Sequence, residues 1–279
     1  MNGKTVLVTG GAGFIGSNLC RALASENNNR IVSLDNYSTG SVLNHVDGVE
    51  YVRGSTAEVK NLIDLDLDLI FHLGEYSRVE QSFDDITNVW ESNKVGTFAM
   101  LEFARAVGAK FVYAGSSTKF GDGGLSRNQS PYGWTKASNT ELVVNYGNWF
   151  SLPYAISYFY NVYGPGEISR GKYATLIGIF AECIRTGQPL PVVSPGTQRR
   201  NFTHVNDVVS GLIMIGENGY GDEFGIGNET SYSVKEVAEL LDRPIQWLPE
   251  RRGNRMSADV VTDKTKALGW KQRYRSLII

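Results

Sequence analysis

The chain has 279 residues, 27 Lys and Arg against 29 Asp and Glu, and a formal net charge of −2. That is enough chain for one large or two small domains, with no charge excess to hold nucleic acid or an anionic membrane. No apolar run approaches the length of a membrane span, and the N-terminus, with one Lys before its first apolar run, does not read as a signal peptide. A cytoplasmic protein is expected, with Cys20 and Cys183 as two buried thiols rather than a disulfide.

In chain order, the first element is a buried strand over 4–9, which runs into Thr9-Gly-Gly-Ala-Gly-Phe-Ile-Gly16. Gly11, Gly13 and Gly16 satisfy GxGxxG, and Gly10, Gly13 and Gly16 the wider GxxGxxG. Ser17 to Ser25 then alternates as a helix does. A glycine turn between strand and helix lets backbone approach a pyrophosphate, whose charge is held at the helix N-terminus, here by Phe14 and Ile15. A second strand over 30–35 ends on Asp35, 19 residues beyond Gly16. That is where a carboxylate accepts hydrogen bonds from an adenosine ribose. Strand, turn, helix and acid in register predict dinucleotide binding.

Further strands are predicted over 49–53, 68–73, 110–115 and 153–159, with long helices over 86–107 and 132–150. The rhythm implies an α/β, doubly wound parallel (Rossmann) sheet, with its ligand at the carboxyl ends of the strands. Beyond residue 159 Gly and Pro become frequent, and helices are predicted over 173–187 and 233–242. We assign 1–158 to a nucleotide-binding domain and 159–279 to a smaller substrate lobe, with 201–216 returning to the first.

A second constellation is Tyr132-Gly-Trp-Thr-Lys136. Four residues make just over one helical turn, so phenol and ammonium share a face. A free tyrosine, with a pKa of about 10, is a poor base at neutral pH. A lysine cation one turn away, with an oxidised nicotinamide nearby, favours the phenolate. Such a phenolate can take a hydroxyl proton while hydride leaves the same carbon. The strand over 110–115 delivers Ser116 and Ser117, whose hydroxyls can donate to the reacting oxygen.

The chain here resembles the extended short-chain dehydrogenase/reductase family, in its nucleotide-sugar epimerase and dehydratase branch. The resemblance rests on the glycine motif at 9–16, Asp35-Asn36-Tyr37-Ser38-Thr39-Gly40, Phe71-His72-Leu73-Gly74, Asn93-Lys-Val-Gly96-Thr97, Ser116-Ser117, Tyr132 with Lys136, Asn161-Val-Tyr-Gly164-Pro165 and Arg200-Asn-Phe-Thr-His204-Val205. It implies NAD as cofactor, with Asp35 and Asn36 at the adenosine ribose and Ser38, Thr39 and Gly40 near its phosphates. Leu73 and Gly74 would lie along the cofactor, Asn93 beside it, and Lys136 on the nicotinamide ribose. Ser116, Tyr132 and Lys136 would carry the chemistry. Asn161 and Arg200 would hold the diphosphate of a nucleotide sugar, with Arg251 or Arg252 as a second clamp.

Members resembling dTDP-glucose 4,6-dehydratase place an Asp-Glu pair after the catalytic hydroxyl, and those resembling UDP-glucuronate decarboxylase keep a Glu. Here Ser117 and Thr118 stand there, and neither is an acid or base near neutral pH. The expected reaction is NAD-dependent epimerisation of a UDP-hexose at carbon 4. The alternatives are a nucleotide-sugar reductase or oxidase, a dehydratase-like enzyme, or an NAD-sensing module without turnover. Glu75 and Arg78 are read as a charge pair near the sugar, His204 as a structural histidine, and no metal site is expected. The resemblance, with Val89, Val95, Phe98, Leu101 and Phe103 on one long helix and Leu142, Val143, Tyr146 and Trp149 on the other, predicts a homodimer through a four-helix bundle.

Overall fold

The computed structural model describes residues 1–25, 28–250, 256–257 and 259–277. The strands are β1 (Thr5–Thr9), β2 (Arg30–Asp35), β3 (Val49–Arg53), β4 (Leu69–His72), β5 (Lys110–Ser116), β6 (Tyr154–Phe159) and β7 (Gly221–Ile226), with near-continuous apolar runs in the central ones. They make one parallel sheet in the order β7-β6-β5-β4-β1-β2-β3. The chain winds outward from β1 to β3, then crosses back and winds the other way from β4. Thr9 and His72 are register partners at the carboxyl ends of β1 and β4. Ligands in such sheets bind where the winding reverses.

Both faces of the sheet are covered. On one face Leu7, Val32, Leu34, Ile70, Phe111 and Ile156 pack against Met100, Leu101 and Ala104 of helix α2 (Gly96–Val107) and Val143 and Tyr146 of α3 (Pro131–Phe150). On the other, Val6, Val8, Ile31, Phe71 and Val112 meet Leu19 and Leu23 of α1 (Phe14–Ser25) and Val208, Leu212 and Ile215 of α5 (Val205–Asn218). Residues adjacent in β1 thus serve opposite layers, as the pleat requires. A third cluster joins α4 (Leu176–Thr186) and α6 (Val234–Leu240) to a parallel pair of short strands, Leu190–Val193 and Ile245–Leu248.

The first six strands lie within one residue of the sequence expectation at each end. Four features differ. Gly221–Ile226, which the sequence reading leaves in the substrate lobe, adds to the main sheet beside β6. The helix expected over 86–107 changes pitch, because Trp90–Val95 winds as a π-helix before α2 begins. Cys183 is half-buried rather than buried, although both thiols are free. Finally, Val89, Leu101, Phe103, Val143 and Tyr146, expected at an interface between copies, are buried within the chain. The large apolar side chains those two helices leave exposed are Ile86, Trp90, Phe98, Trp134, Trp149 and Phe150.

α3 starts where the chemistry of its first residues dictates. Ser130 caps it by accepting from Gly133 N at 3.0 Å, and Pro131 occupies the first helical position. Tyr132 therefore enters at the second. His72, at the end of β4, is fully buried between Thr9 Oγ1 (2.8 Å) and Thr97 Oγ1 (3.0 Å). Thr97 donates its hydroxyl proton to Glu75 at 2.6 Å, so the ring donates from Nε2 and accepts from Thr9 at Nδ1.

Burial pushes the His72 imidazole down to about 4. A group depressed in the folded state gives stability that is present above its unfolded pKa, about 6.5, and is lost as the pH falls toward the folded value. Lowering the pH from 7.5 to 5 should cost about 2 kcal/mol through this group, read as a fall in the urea midpoint, and a smaller fall is expected for His72→Asn.

Candidate active site

β1 delivers the chain into the glycine turn, and steric constraint fixes the residue types. Gly10 has φ of 73°, a left-handed conformation that glycine adopts without penalty. A Cβ on Gly10 would meet Gly74 Cα at 3.0 Å, and one on Gly16 would lie 2.1 Å from Gly10 O. The turn is thus packed bare backbone against bare backbone, closed by Gly13 N donating to Gly10 O at 3.0 Å. Thr9 Oγ1 accepts from Leu73 N (3.1 Å) and Gly74 N (2.9 Å), which ties the loop after β4 to the turn.

Phe14 and Ile15 head α1, where first-turn amides have no intrahelical acceptor. Asp35 accepts from Ala12 N at 2.9 Å and Tyr37 N at 2.7 Å, one amide on each carboxylate oxygen, and each oxygen keeps a further acceptor position. A cradle without Cβ atoms, open helix amides and a carboxylate with spare lone pairs fit a dinucleotide's pyrophosphate and ribose.

At the end of β5, Ser116 Oγ accepts from Tyr132 Oη at 3.2 Å and from Thr118 Oγ1 at 3.0 Å. Lys136, one turn beyond Tyr132, forms an ion pair with Glu75 and donates to Ala114 O. Only 5% of the Lys136 side chain and 3% of the Glu75 side chain are exposed. Glu75 Oε1 also accepts from Thr97, from Tyr113 Oη (3.1 Å) and from Asn139 Nδ2 (2.9 Å). Burial alone would raise this carboxyl, but the Lys136 ammonium, His72 and the hydrogen bonds from Lys136 and Thr97 hold it below its usual value. Burial, the Glu75 charge and their hydrogen bond push the Tyr113 phenol well up.

Glu75 therefore does not pair with Arg78, as the sequence reading has it. Arg78 donates from Nε (3.0 Å) and Nη2 to the backbone oxygen of Tyr173, and from Nη1 to Ser77. Gln81 Nε2 reaches Lys172 O at 2.8 Å in the same way.

One cavity of about 600 Å³ gathers most of the expected residues. Its wall includes Gly10, Gly13, Phe14, Ile15, Gly16, Asp35, Asn36, Ser38, Thr39, Leu73 and Gly74, together with Ser116, Ser117, Tyr132, Lys136, Asn161 and Arg200. Asn161 has φ of 39°, unusual for a residue with a Cβ, and its carbonyl accepts from Thr203 N at 3.2 Å.

Two expected residues stand behind the wall. A Cβ on Gly40 would lie 2.9 Å from Asp35 Oδ1, so this glycine lets the chain pass close to that carboxylate. Asn93 is fully buried, its side chain holding Tyr76 N (2.7 Å), Tyr76 O (3.2 Å) and Thr135 Oγ1 (3.1 Å). Arg251 and Arg252 lie outside the described residues. His204 caps α5, its Nδ1 accepting from Asn206 N at 3.2 Å.

The partners of Glu75, and the presence of Glu167 in the cavity wall, emerge only from the folded chain. Burial raises the Glu167 carboxyl, which accepts from Thr175 Oγ1 and Gly164 N. A charged residue directly after a buried strand and a glycine was the available signal for Glu75.

A model of the NAD dependent epimerase/dehydratase family matches residues 6–227. UDP-glucuronic acid decarboxylase 6 of Arabidopsis thaliana is 30% identical over 259 residues, 86% of this chain and 74% of that protein. The UDP-glucose 4-epimerase of Thermotoga maritima, solved with UDP-glucose, superposes with a TM-score of 0.86 at 25% identity, covering 96% of this chain and 94% of the other. The Thermus thermophilus UDP-glucose 4-epimerase solved with NAD gives 0.86 at 26% identity, with the same coverage of 96% and 94%.

Because backbone surrounds the missing Cβ of Gly16, Gly16→Ala should shift the turn, destabilise the chain by about 1–3 kcal/mol, and weaken NAD binding. Thermal unfolding with and without NAD measures both effects.

Proposed function

We propose carbon-4 epimerisation of a UDP-hexose as the activity of this chain, which belongs to the NAD dependent epimerase/dehydratase family. That family acts on nucleotide sugars with NAD as cofactor. The observation that carries the finer reading is the pair after Ser116. Ser117 and Thr118 put hydroxyls where elimination would need an acid and a base. Glu75 does not supply them, since its oxygens already accept from Lys136, Thr97, Tyr113 and Asn139.

In this reading the glycine turn and Asp35 hold the pyrophosphate and adenosine ribose of NAD. Bound NAD supplies a hydride acceptor and donor. Tyr132 takes the proton of the sugar 4-hydroxyl and later returns it, while Ser116 donates to the same oxygen. Lys136 keeps one N–H for a ligand after serving Glu75 and Ala114 O. Asn161 and Arg200 hold the diphosphate, so the 4-ketosugar can turn over without leaving.

A second reading, action on a UDP-uronic acid, is favoured by Arg78. Its guanidinium lies in the cavity wall, burial lowers its pKa, and among the described residues it forms no ion pair. An arginine so placed suits a sugar carboxylate. Incubating the protein with UDP-glucose and with UDP-glucuronate, and identifying products by NMR, separates the two readings. Tyr132→Phe should lower kcat by at least about 10²-fold, as for loss of a general base, with the fold intact by circular dichroism. Near-normal turnover in that variant would move the base elsewhere.

The working unit we infer is a homodimer through the exposed faces of the two long helices. Ile86, Trp90, Phe98, Trp134 and Trp149 support it, with Trp90 and Trp134 stacked at 5.9 Å between centroids. Sedimentation at micromolar concentration should show a dimer, and Trp134→Glu should shift it to monomer; a wild-type monomer would remove the proposal.

A further inference from the structure

The Glu75 carboxylate has no place in the chemistry above, yet it is among the most completely engaged groups in the chain. An ionised carboxylate offers about four acceptor positions. Here Oε2 takes the Lys136 ammonium, and Oε1 takes Thr97, Tyr113 and Asn139. The charged and titratable groups around it come from every packed element. β4 brings His72, kept neutral by burial; β5 brings Tyr113; α3 brings Lys136 and Tyr132. The π-helical turn brings Lys94, whose ammonium donates to Asn139 Oδ1 (2.7 Å) and Ser138 Oγ (3.0 Å) and also feels the Glu75 charge. Glu75 and Lys136 are thus a closed, neutral pair in the cavity wall.

We propose that Glu75 is a positioning residue acting through Lys136, holding the ammonium against Ala114 O and offsetting its charge so that the site carries no bias against the oxidised cofactor. The oxidised nicotinamide ring carries a positive charge and the reduced ring none. A bare buried ammonium beside the ring would repel only the oxidised form, and little solvent is present to screen it. With Glu75 in place that repulsion is offset, and the form that can accept a hydride from a sugar alcohol is bound without that penalty. The inference rests on Lys136 lying beside the nicotinamide end of NAD. It does not depend on which sugar is turned over.

The test is the relative affinity for the two cofactor forms. Purified holoprotein is equilibrated with mixtures of NAD and NADH, and the bound NADH fraction is read from its fluorescence. Glu75→Gln leaves Lys136 unpaired and should raise the preference for NADH by about tenfold or more. Glu75→Asp, which keeps the charge, should stay near the wild-type ratio. A carboxylate that merely supports the fold would, when lost, weaken both forms alike, and an unaltered ratio in Glu75→Gln would overturn the proposal. Should Glu75→Gln not fold, Glu75→Gln/Lys136→Met removes both charges. Its ratio should then lie within about threefold of wild type, and a tenfold departure in the double variant would equally overturn the proposal. A wild-type protein that binds neither cofactor form would overturn the reading of the cavity, and this inference with it.

Discussion

Moving the Lys136 ammonium and the Glu75 carboxylate out of water costs several kcal/mol per ion, offset only by close contact and by hydrogen bonds to the remaining acceptor positions. That requirement draws four elements together. Thr97 comes from α2, Tyr113 from β5, and Asn139 and Lys136 from α3, all to a residue just past β4. The network continues from Thr97 through His72 to Thr9, and from Thr9 to the amides of Leu73 and Gly74 beside the glycine turn. The glycine turn and Lys136 are therefore joined by one chain of hydrogen bonds. Such networks specify a single arrangement because any half-satisfied member is costly.

Much of this was legible in the sequence, and the physical reasons are particular. The central strands were readable because parallel strands buried on both faces need near-continuous apolar runs, which Thr5-Val6-Leu7-Val8 and Phe111-Val112-Tyr113 supply. The glycine turn was readable because the close approach of Gly16 to Gly10 O admits no other residue type. β7 escaped because it opens on Gly221-Asp222-Glu223, pairs with β6 alone at the sheet edge, and shifts register between Gly221 and Phe224. A polar, irregular edge strand has little apolar signal to read.

The misses in the site have another origin. The partners Glu75 and Lys136 are 61 positions apart, and only the packing of β4 against β5 and of α3 over the sheet brings them together. What sequence does not foretell for Asn93, expected beside the cofactor, is that the π-helical turn also bonds it to Tyr76 and Thr135. The long helices are apolar on more than one side. Sequence pattern shows that excess but not which side the sheet takes, so Leu101 and Phe103 went inward while Phe98 stayed outside.

The bonds from Arg78 and Gln81 to the carbonyls of Tyr173 and Lys172 join the segment after β4 to the segment before α4, two stretches that both contribute to the cavity wall. They are made to main-chain oxygens, so no exchange of side chains at 172 or 173 would remove them. For any ligand that passed between these stretches, opening this clasp would stand in series with the chemistry, and its rate would then bound turnover however fast proton and hydride move inside.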